Sequence, residues 1–191
     1  MELNILASKS PRRYYLLNKI GFKFSVIHSD FIEHMNNNLP PNALAETLAR
    51  SKALNVAKKY SNKIIIGADT IVCINDKIFG KPNNDQDKFN MLKYLSGKRH
   101  EVITGVSLVS LNKGIDHTFN NRTIVKVKTI SDEEIKIYSK NFKGFDKAGG
   151  YGIQDGFSIF IEEIQGCYYN AMGFPLSSFY KQYKKIFKSF Y

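Results

Sequence analysis

The stretch from Lys63 to Ala68 is a near-continuous apolar run, and it constrains the fold more than any other part of the sequence. No apolar run in the chain is long enough to cross a bilayer. A short run of this kind is typical of a strand that is covered on both faces. Apolar residues recur at helical spacing on either side of it, at Asn42–Lys59 and Asp85–Leu95. The alternation predicts an α/β fold with a central sheet.

The remaining elements follow from local signals, including the glycine after the first helix, Gly21, and the capping box of Ser131 and Glu134. We predict strands at Glu2–Ala7, Lys23–His28, Lys63–Ala68, Thr70–Asn75, Lys77–Phe79, Val102–Leu111, Ile115–Asn120, Thr123–Lys128, Phe157–Ile164 and Cys167–Asn170. We predict helices at Pro11–Ile20, Asn42–Lys59, Asp85–Leu95, from Ser131 to Asn141, and after Pro175. The last two strands are expected to form a hairpin that turns at Gln165-Gly166.

The chain of 191 residues carries 28 Lys and Arg against 17 Asp and Glu, a net charge of +11. This balance indicates an anionic partner or a generally basic surface, and it does not separate a nucleic-acid binder from a nucleotide enzyme. The length suits one domain, or two lobes that share one sheet. We read Cys73 and Cys167 as reduced structural thiols and find no export signal. We therefore expect a cytoplasmic protein without a membrane partner.

Arg12 and Arg13 fall in the first turn of the first predicted helix, where a positive charge opposes the helix dipole. Together with Ser8, Ser10 and the free backbone N–H groups, they would form an anion site suited to a polyphosphate. The alternative is a pair of solvated surface arginines.

Asp69 follows the apolar run directly, so we expect its carboxylate at the end of a buried strand, where open α/β sheets keep their ligands. It could hold a divalent metal or take a proton from an attacking water. A turn aspartate that caps a nearby amide is an equally good interpretation. Lys81 adds a cation on a loop constrained by Pro82. Glu33 and Lys52 are further candidates that singly read as surface charges.

The glycine-rich stretch from Asp146 to Gln154 lets the backbone approach a ligand closely, and Gln154 offers a paired donor and acceptor for a base edge. The alternative is a flexible loop between a helix and a hairpin. The sequence contains no Walker-type phosphate loop and no serine in a nucleophile elbow. The four histidines lack the spacing of metal ligands.

Seven short motifs, in one order along nearly the whole chain, resemble the Maf family of nucleotide pyrophosphatases. They are Leu6-Ala-Ser-Lys-Ser-Pro-Arg-Arg13, Leu48-Ala-Arg-Ser-Lys-Ala53, Ile66-Gly-Ala-Asp-Thr70, Gly80-Lys-Pro82, Leu95-Ser-Gly97, Asp146-Lys-Ala-Gly149 and Asn170-Ala-Met-Gly-Phe-Pro-Leu176.

The resemblance implies a single domain over residues 1–191, of the inosine-triphosphatase type. An elongated, twisted mixed sheet would carry helices in two lobes that flank a cleft. The implied activity is cleavage of a nucleoside triphosphate to the monophosphate and pyrophosphate. The stretch Tyr151-Gly-Ile-Gln154 is similar to the branch that acts on dTTP and UTP.

The resemblance also implies residue roles. Phosphates would be held by Ser8, Arg12, Arg13, Lys52 and Lys81. Glu33 and Asp69 would surround a divalent cation (Mg²⁺, Mn²⁺ or Co²⁺), with Asp69 as the base. Arg12, Thr70 and Gln154 would set the substrate preference. The sequence departs from the family pattern at Tyr15, where an acidic residue is usual and could orient Arg12 or Arg13, and at Asp155, where glycine is common.

Two other functions compete with this one. The same pocket could serve a non-catalytic, nucleotide-binding regulator of septum formation, although such a protein does not need a water-activating base. A nucleic-acid binder would suit the charge, but the sequence contains no nucleic-acid module, so we expect no such partner. A homodimer is compatible with the sequence.

Overall fold

The computed structural model describes residues 4–32, 39–75, 77–188 and 190. In these ranges the strands are β1 (Asn4–Leu6), β2 (Phe24–Val26), β3 (Ile65–Ile74), β4 (Lys77–Phe79), β5 (Arg99–Ser110), β6 (Ile115–Val127) and β7 (Ile161–Gln165). The α-helices are α1 (Pro11–Lys19), α2 (Pro41–Ala57), α3 (Asp85–Leu95), α4 (Asp132–Asn141), α5 (Tyr168–Met172) and α6 (Leu176–Phe187). Short 3₁₀ helices lie at Leu111–Lys113, Ala148–Gly150 and Gly156–Phe160.

The strands form one seven-stranded sheet in the order β2-β1-β3-β5-β6-β7, with β4 paired to β3. β1 runs parallel to both β2 and β3, whereas β4 is antiparallel to β3 and β7 is antiparallel to β6. Nine of the ten residues of β3 are buried, as the apolar run predicts for a strand with two covered faces. The predicted α/β class with a mixed central sheet is confirmed.

The contacts divide the chain into two compact units. The first unit comprises Met1–Thr70, Thr104–Asn121 and Gly173–Tyr191, and the second comprises Ile71–Ile103 and Arg122–Met172. In the part of the chain that the structure describes, no helix is both long and apolar enough to span a membrane.

In the first unit, α2 lies directly on the sheet. A β-carbon added at Gly67 of β3 would overlap the carbonyl oxygen of Ala49, and one added at Gly105 of β5 would overlap that of Ala45. Only glycine leaves room for this approach of helix backbone to strand. The core beside it consists of Ile5, Ala7, Ala53, Val56, Ala57, Ile65 and Val109.

In the second unit, aromatic rings fill the core. The ring of Phe157 lies 4.4 Å from that of Tyr151 and 5.2 Å from that of Tyr138, measured between centroids. Helices α3 and α4 pack around this cluster. α4 begins with the predicted capping box, in which Ser131 and Glu134 satisfy each other's backbone N–H groups.

The predicted position of Asp69 at the end of a strand is wrong. β3 continues through Asp69 and Thr70 to Ile74, so both residues lie in the middle of a strand. An aspartate inside an apolar strand is costly unless a partner compensates its charge, and the local sequence does not reveal such a partner. The two strands predicted at Ile115–Asn120 and Thr123–Lys128 are likewise one strand, β6.

The predicted final hairpin is also wrong. Residues 156–160 form a 3₁₀ helix before β7, and Cys167–Asn170 runs into helix α5. The backbone N–H and C=O of Cys167 both pair with the hydroxyl of Thr123, and buried Asn170 donates to the same hydroxyl and to the carbonyl of Val102. These long-range bonds replace the strand ladder that the local sequence predicts. Cys73 and Cys167 are both free thiols, as expected.

Candidate active site

The turn between β1 and α1 brings Ser8 next to Arg13. The hydroxyl of Ser8 accepts hydrogen bonds from the backbone N–H of Ser10, at 3.2 Å, and from Nη1 of Arg13, at 3.1 Å. α1 begins at Pro11, whose missing N–H costs nothing at this position. Ser10 occupies the N-cap position, but its side chain makes no capping bond.

Arg13 is buried and joins three parts of the first unit. Besides its bond to Ser8, its Nε donates to the carbonyl of Gly173 and its Nη2 donates to Oγ1 of Thr70, both at 3.0 Å. Oγ1 of Thr70 lies 3.0 Å from Oγ1 of Thr104 on β5. The planar guanidinium therefore fixes Ser8 and Thr70 in one cluster, which a flexible lysine could not do.

Asp69 pairs with Lys52, which reaches it from α2. The ammonium of Lys52 donates to Oδ1 of Asp69 in a short contact, and about a tenth of each side chain is exposed. Consecutive residues of a strand point to opposite faces, so Asp69 and Thr70 point to different sides of β3. A buried carboxylate needs a compensating charge, and Lys52 supplies it.

Arg12 is half-buried and follows Pro11 in the first turn of α1. Tyr15, at the position where the family pattern has an acidic residue, is 54% exposed. The bonds of Arg13 to Ser8, Thr70 and Gly173 orient its guanidinium, and the effect of Tyr15 on either arginine stays a prediction.

In the second unit, Lys81 is exposed on the loop after β4. The carbonyl of Gly80 accepts a hydrogen bond from the N–H of Gly149 at 3.0 Å, so the Lys81 loop is tied to the glycine-rich loop. Lys147 donates to Asp146 and to the carbonyl of Lys143.

Gln154 is exposed at the end of the same glycine-rich loop, between buried Ile153 and half-buried Asp155. The structure therefore presents its amide outward from a loop whose neighbouring residues are packed.

The sequence is similar to known proteins over nearly its whole length. The family model described as "Maf-like protein" matches residues 4–186. The chain belongs to this Maf-like family. It is 44% identical to a protein named dTTP/UTP pyrophosphatase of Carboxydothermus hydrogenoformans, over 94% of this chain and 96% of that protein. It is 46% identical to a protein of the same name from Thermosipho africanus, over 91% and 87% of the two chains, and 41% identical to one from Clostridioides difficile, over 96% and 94%.

The carboxylates of this Maf-like chain suit a magnesium-type ion only in part. Among the residues that the structure describes, no group of three or more His, Cys, Asp or Glu side chains could hold a metal. Glu33 lies outside the described residues, so its predicted role stays a prediction. Mg²⁺ is usually held by one or two carboxylates, with waters and substrate phosphates as the remaining ligands. Asp69 could supply one such carboxylate, but its Oδ1 is bound by Lys52, so a metal at this site stays a prediction.

Two residues that contact the predicted site residues of the first unit were not themselves predicted from the sequence. Thr104 bonds Thr70, and the carbonyl of Gly173 anchors Arg13. Thr104 is one of three polar residues, with Ser107 and Ser110, that interrupt the apolar stretch of β5 and are fully buried, so the sequence did not single it out. The carbonyl of Gly173 left no signal, since backbone groups carry no sequence pattern.

Proposed function

We propose that the protein is an enzyme that hydrolyses dTTP and UTP to the nucleoside monophosphate and pyrophosphate. The observation that carries the proposal is the buried carboxylate of Asp69, held by Lys52 inside a unit that also buries Arg13. A buried base that is paired with a lysine, in a unit that also buries an arginine, suits the hydrolysis of a polyanion. The names of the similar proteins, all dTTP/UTP pyrophosphatases, support the same substrates.

The cations of the site would bind the triphosphate. Arg12 is half-buried and Lys81 is exposed, and both stay predicted phosphate ligands. Arg13 would act mainly by holding Ser8 and Thr70 in place, and its role as a phosphate ligand stays a prediction. Lys52 stays a predicted phosphate ligand. To bind the triphosphate, its ammonium would have to exchange Asp69 for a phosphate oxygen.

Asp69 would accept the proton of the attacking water. The water oxygen bonds to the α-phosphorus while the bond from that phosphorus to the α–β bridging oxygen breaks. The electron pair leaves on pyrophosphate, and the water proton passes to Asp69 and then to solvent. A divalent cation bound by Asp69 and Glu33 would neutralise phosphate oxygens and so stabilise the leaving group. Gln154, Thr70 and Arg12 would set the preference for the base.

The non-catalytic regulator is not favoured, because the similar proteins are named as enzymes and because binding alone does not need a buried carboxylate such as Asp69. A cytoplasmic location, a homodimeric state and the absence of nucleic-acid binding stay predictions from the sequence. Light scattering of the purified protein and a salt titration against duplex DNA test the last two.

Pyrophosphate release by the purified protein tests the proposed activity. The substrates are dTTP, UTP, CTP, 7-methyl-GTP, GTP and ITP, each with Mg²⁺ or Mn²⁺. We expect selective cleavage of dTTP and UTP. Asp69→Asn should lower turnover by about 100-fold or more, since it removes a general base.

The matched control is Asp116→Asn, which neutralises an exposed aspartate of the same unit and should keep full turnover. Tight nucleotide binding without any turnover in the wild-type protein would favour the regulator. Near-normal turnover in Asp69→Asn would remove Asp69 from the role of base.

A further inference from the structure

The glycine-rich loop that carries Gln154 is closed by Asp155, a residue to which neither the family pattern nor the proposed function gives a role. Oδ1 of Asp155 accepts hydrogen bonds from the backbone N–H of Phe157, at 3.0 Å, and from the hydroxyl of Tyr138, at 3.1 Å. The backbone N–H of Asp155 donates to the carbonyl of Gly152 at 3.2 Å. A β-carbon at Gly152 would overlap Oδ2 of Asp155, so the carboxylate folds back over that glycine.

Tyr138 of α4 binds both ends of the short segment from Gly152 to Asp155. Its side chain is 4% exposed, and its hydroxyl accepts a hydrogen bond from the backbone N–H of Gly152 at 3.4 Å while it donates to Asp155. Burial, reinforced by the nearby carboxylate of Asp155, raises the pKa of the Tyr138 hydroxyl, which therefore remains a donor at neutral pH. One side chain thus binds both Gly152 and Asp155, the residues on either side of Ile153 and Gln154.

Lys88 of α3 supplies a buried positive charge beside these groups. Its side chain is 0% exposed, its ammonium donates to the carbonyl of Phe142, and it lies 4.8 Å from the centre of the Tyr138 ring. Burial lowers the pKa of Lys88, and the charge of Asp155 opposes that shift. A lysine is almost never fully buried without a partner. The partners of Lys88 are the carbonyl of Phe142 and the ring of Tyr138.

The glycine-rich loop leaves room for this lysine. A β-carbon at Gly150 would lie 3.2 Å from Cγ of Lys88, and one at Gly144 would lie 3.1 Å from its Cε. Lys88 therefore packs against the loop backbone at two positions. The loop, α3 and α4 share one buried polar cluster, consisting of Lys88, Tyr138 and Asp155.

We propose that Tyr138 and Asp155, with Lys88 beside them, are positioning residues that hold Gln154 in the orientation needed to recognise the pyrimidine base. This inference rests on the proposed function, because it deepens the role of Gln154 in that site. The proposed mechanism gives none of these three residues a part in binding phosphate or activating water. Its loss should therefore weaken discrimination between bases and leave the chemistry of the phosphoanhydride unchanged.

Tyr138→Phe is the main test, since it removes one hydroxyl and keeps the ring that packs on Lys88 and Phe157. We expect KM for dTTP and UTP to rise about fivefold with kcat nearly unchanged, the size of effect that one lost hydrogen bond gives. The ratio of kcat/KM for dTTP to that for CTP should fall by the same factor. Tyr94→Phe, at a half-exposed tyrosine of the same unit, is the matched control and should change neither value.

Two further variants separate positioning from bulk structure. Asp155→Ala removes the acceptor and should reproduce the effect of Tyr138→Phe, whereas Asp155→Asn retains an oxygen acceptor and should restore most of the discrimination. Gln154→Ala should lower the same ratio. The double variant Tyr138→Phe/Gln154→Ala should lose no more than Gln154→Ala alone, because the two residues act through one contact.

An equal fall in kcat/KM for every nucleotide, with a lowered Tm, would mean a structural role and would overturn the inference. Additive losses in the double variant, or an unchanged ratio in Tyr138→Phe, would overturn it as well. Wild-type protein without turnover on any nucleotide would refute the proposed activity instead. In that case the ratio of Kd values for dTTP and CTP in the same variants decides the positioning role.

Discussion

The two units bury their polar groups in different ways. In the first unit, the buried charges meet other side chains: Lys52 pairs with Asp69, and Arg13 bonds Ser8 and Thr70. In the second unit, the ammonium of Lys88 is bound by a backbone carbonyl and an aromatic ring, and the other buried polar residues, among them His100, Thr123 and Asn170, are uncharged. The first arrangement suits a charged substrate, whereas the second fixes the backbone of one loop. We therefore expect Asp69, Lys52 and Arg13 of the first unit to act on the phosphates, and the cluster around Gln154 in the second unit to act on the base.

Among variants that keep Asp69, the largest effect is expected at Arg13. Arg13→Lys keeps the positive charge but cannot bond Ser8, Thr70 and Gly173 at once. We expect kcat/KM for dTTP to fall by about 100-fold, because small displacements of positioning groups have effects of this size. Pyrophosphate release measures the change.

Arg50→Lys is the control for Arg13→Lys, since Arg50 is an exposed arginine of the same unit. If kcat/KM falls for dTTP but not for CTP, Arg13 acts in base recognition. That result would contradict the division of roles between the two units.

An acid-dependent loss of stability is expected from His100 in the second unit. Nε2 of His100 lies 2.6 Å from the hydroxyl of Tyr151, and Nδ1 has no hydrogen-bond partner among the described residues. Burial lowers the pKa of His100 from 6.5 to about 4. Between these values the unfolded chain binds a proton that the folded chain does not. The stabilisation is present in full above pH 6.5 and declines as the pH falls towards 4, by about 3 kcal/mol in total.

Urea unfolding at pH 7, 6, 5 and 4.5 tests the His100 prediction. The His100→Gln variant should lack this part of the pH dependence, whereas His28→Gln, at an exposed histidine of the first unit, should keep it. If the free energy of unfolding falls equally with pH in wild type and in His100→Gln, the second unit is not the source of the acid sensitivity.

The smallest effect is expected at the exposed ion pair of Arg50 and Asp116 in the first unit. Nε of Arg50 lies 3.0 Å from Oδ1 of Asp116, but the two side chains are 51% and 39% exposed. Exposed pairs contribute little, so Arg50→Ala should lower the free energy of unfolding by about 0.5 kcal/mol or less. Urea unfolding measures it. A loss of several kcal/mol would show that surface charges also organise the first unit.

Much of the fold could be predicted from local signals. The apolar run predicted β3, Pro11 and Gly21 marked the ends of α1, and Ser131 with Glu134 marked the start of α4. The wrong predictions lie where contacts between residues far apart in the sequence determine the secondary structure. The hydroxyl of Thr123 binds Cys167 and Asn170 across more than forty residues, and this contact turns a predicted strand into α5.

The candidate site also contains residues that local sequence predicted and residues that only long-range contacts bring together. The cluster of Ser8 and Arg13 was predicted because both residues sit on one strand-to-helix turn. The pairing of Lys52 with Asp69 was not, because the two residues belong to different elements and each reads alone as an ordinary charge. The role of Lys88 was likewise invisible, since a lysine on a helix normally faces solvent.

The contact between α2 and Gly67 has a genetic consequence. Gly67 lies two residues before Asp69 on the same face of β3, and α2 carries Lys52 to that face. Every missense change at codon 67 adds at least a methyl group, which would push the helix away from the strand. Random mutagenesis scored by activity would then identify Gly67 as essential although it has no side chain. A catalytic assignment drawn from such a screen would be mistaken unless protein stability were scored beside it.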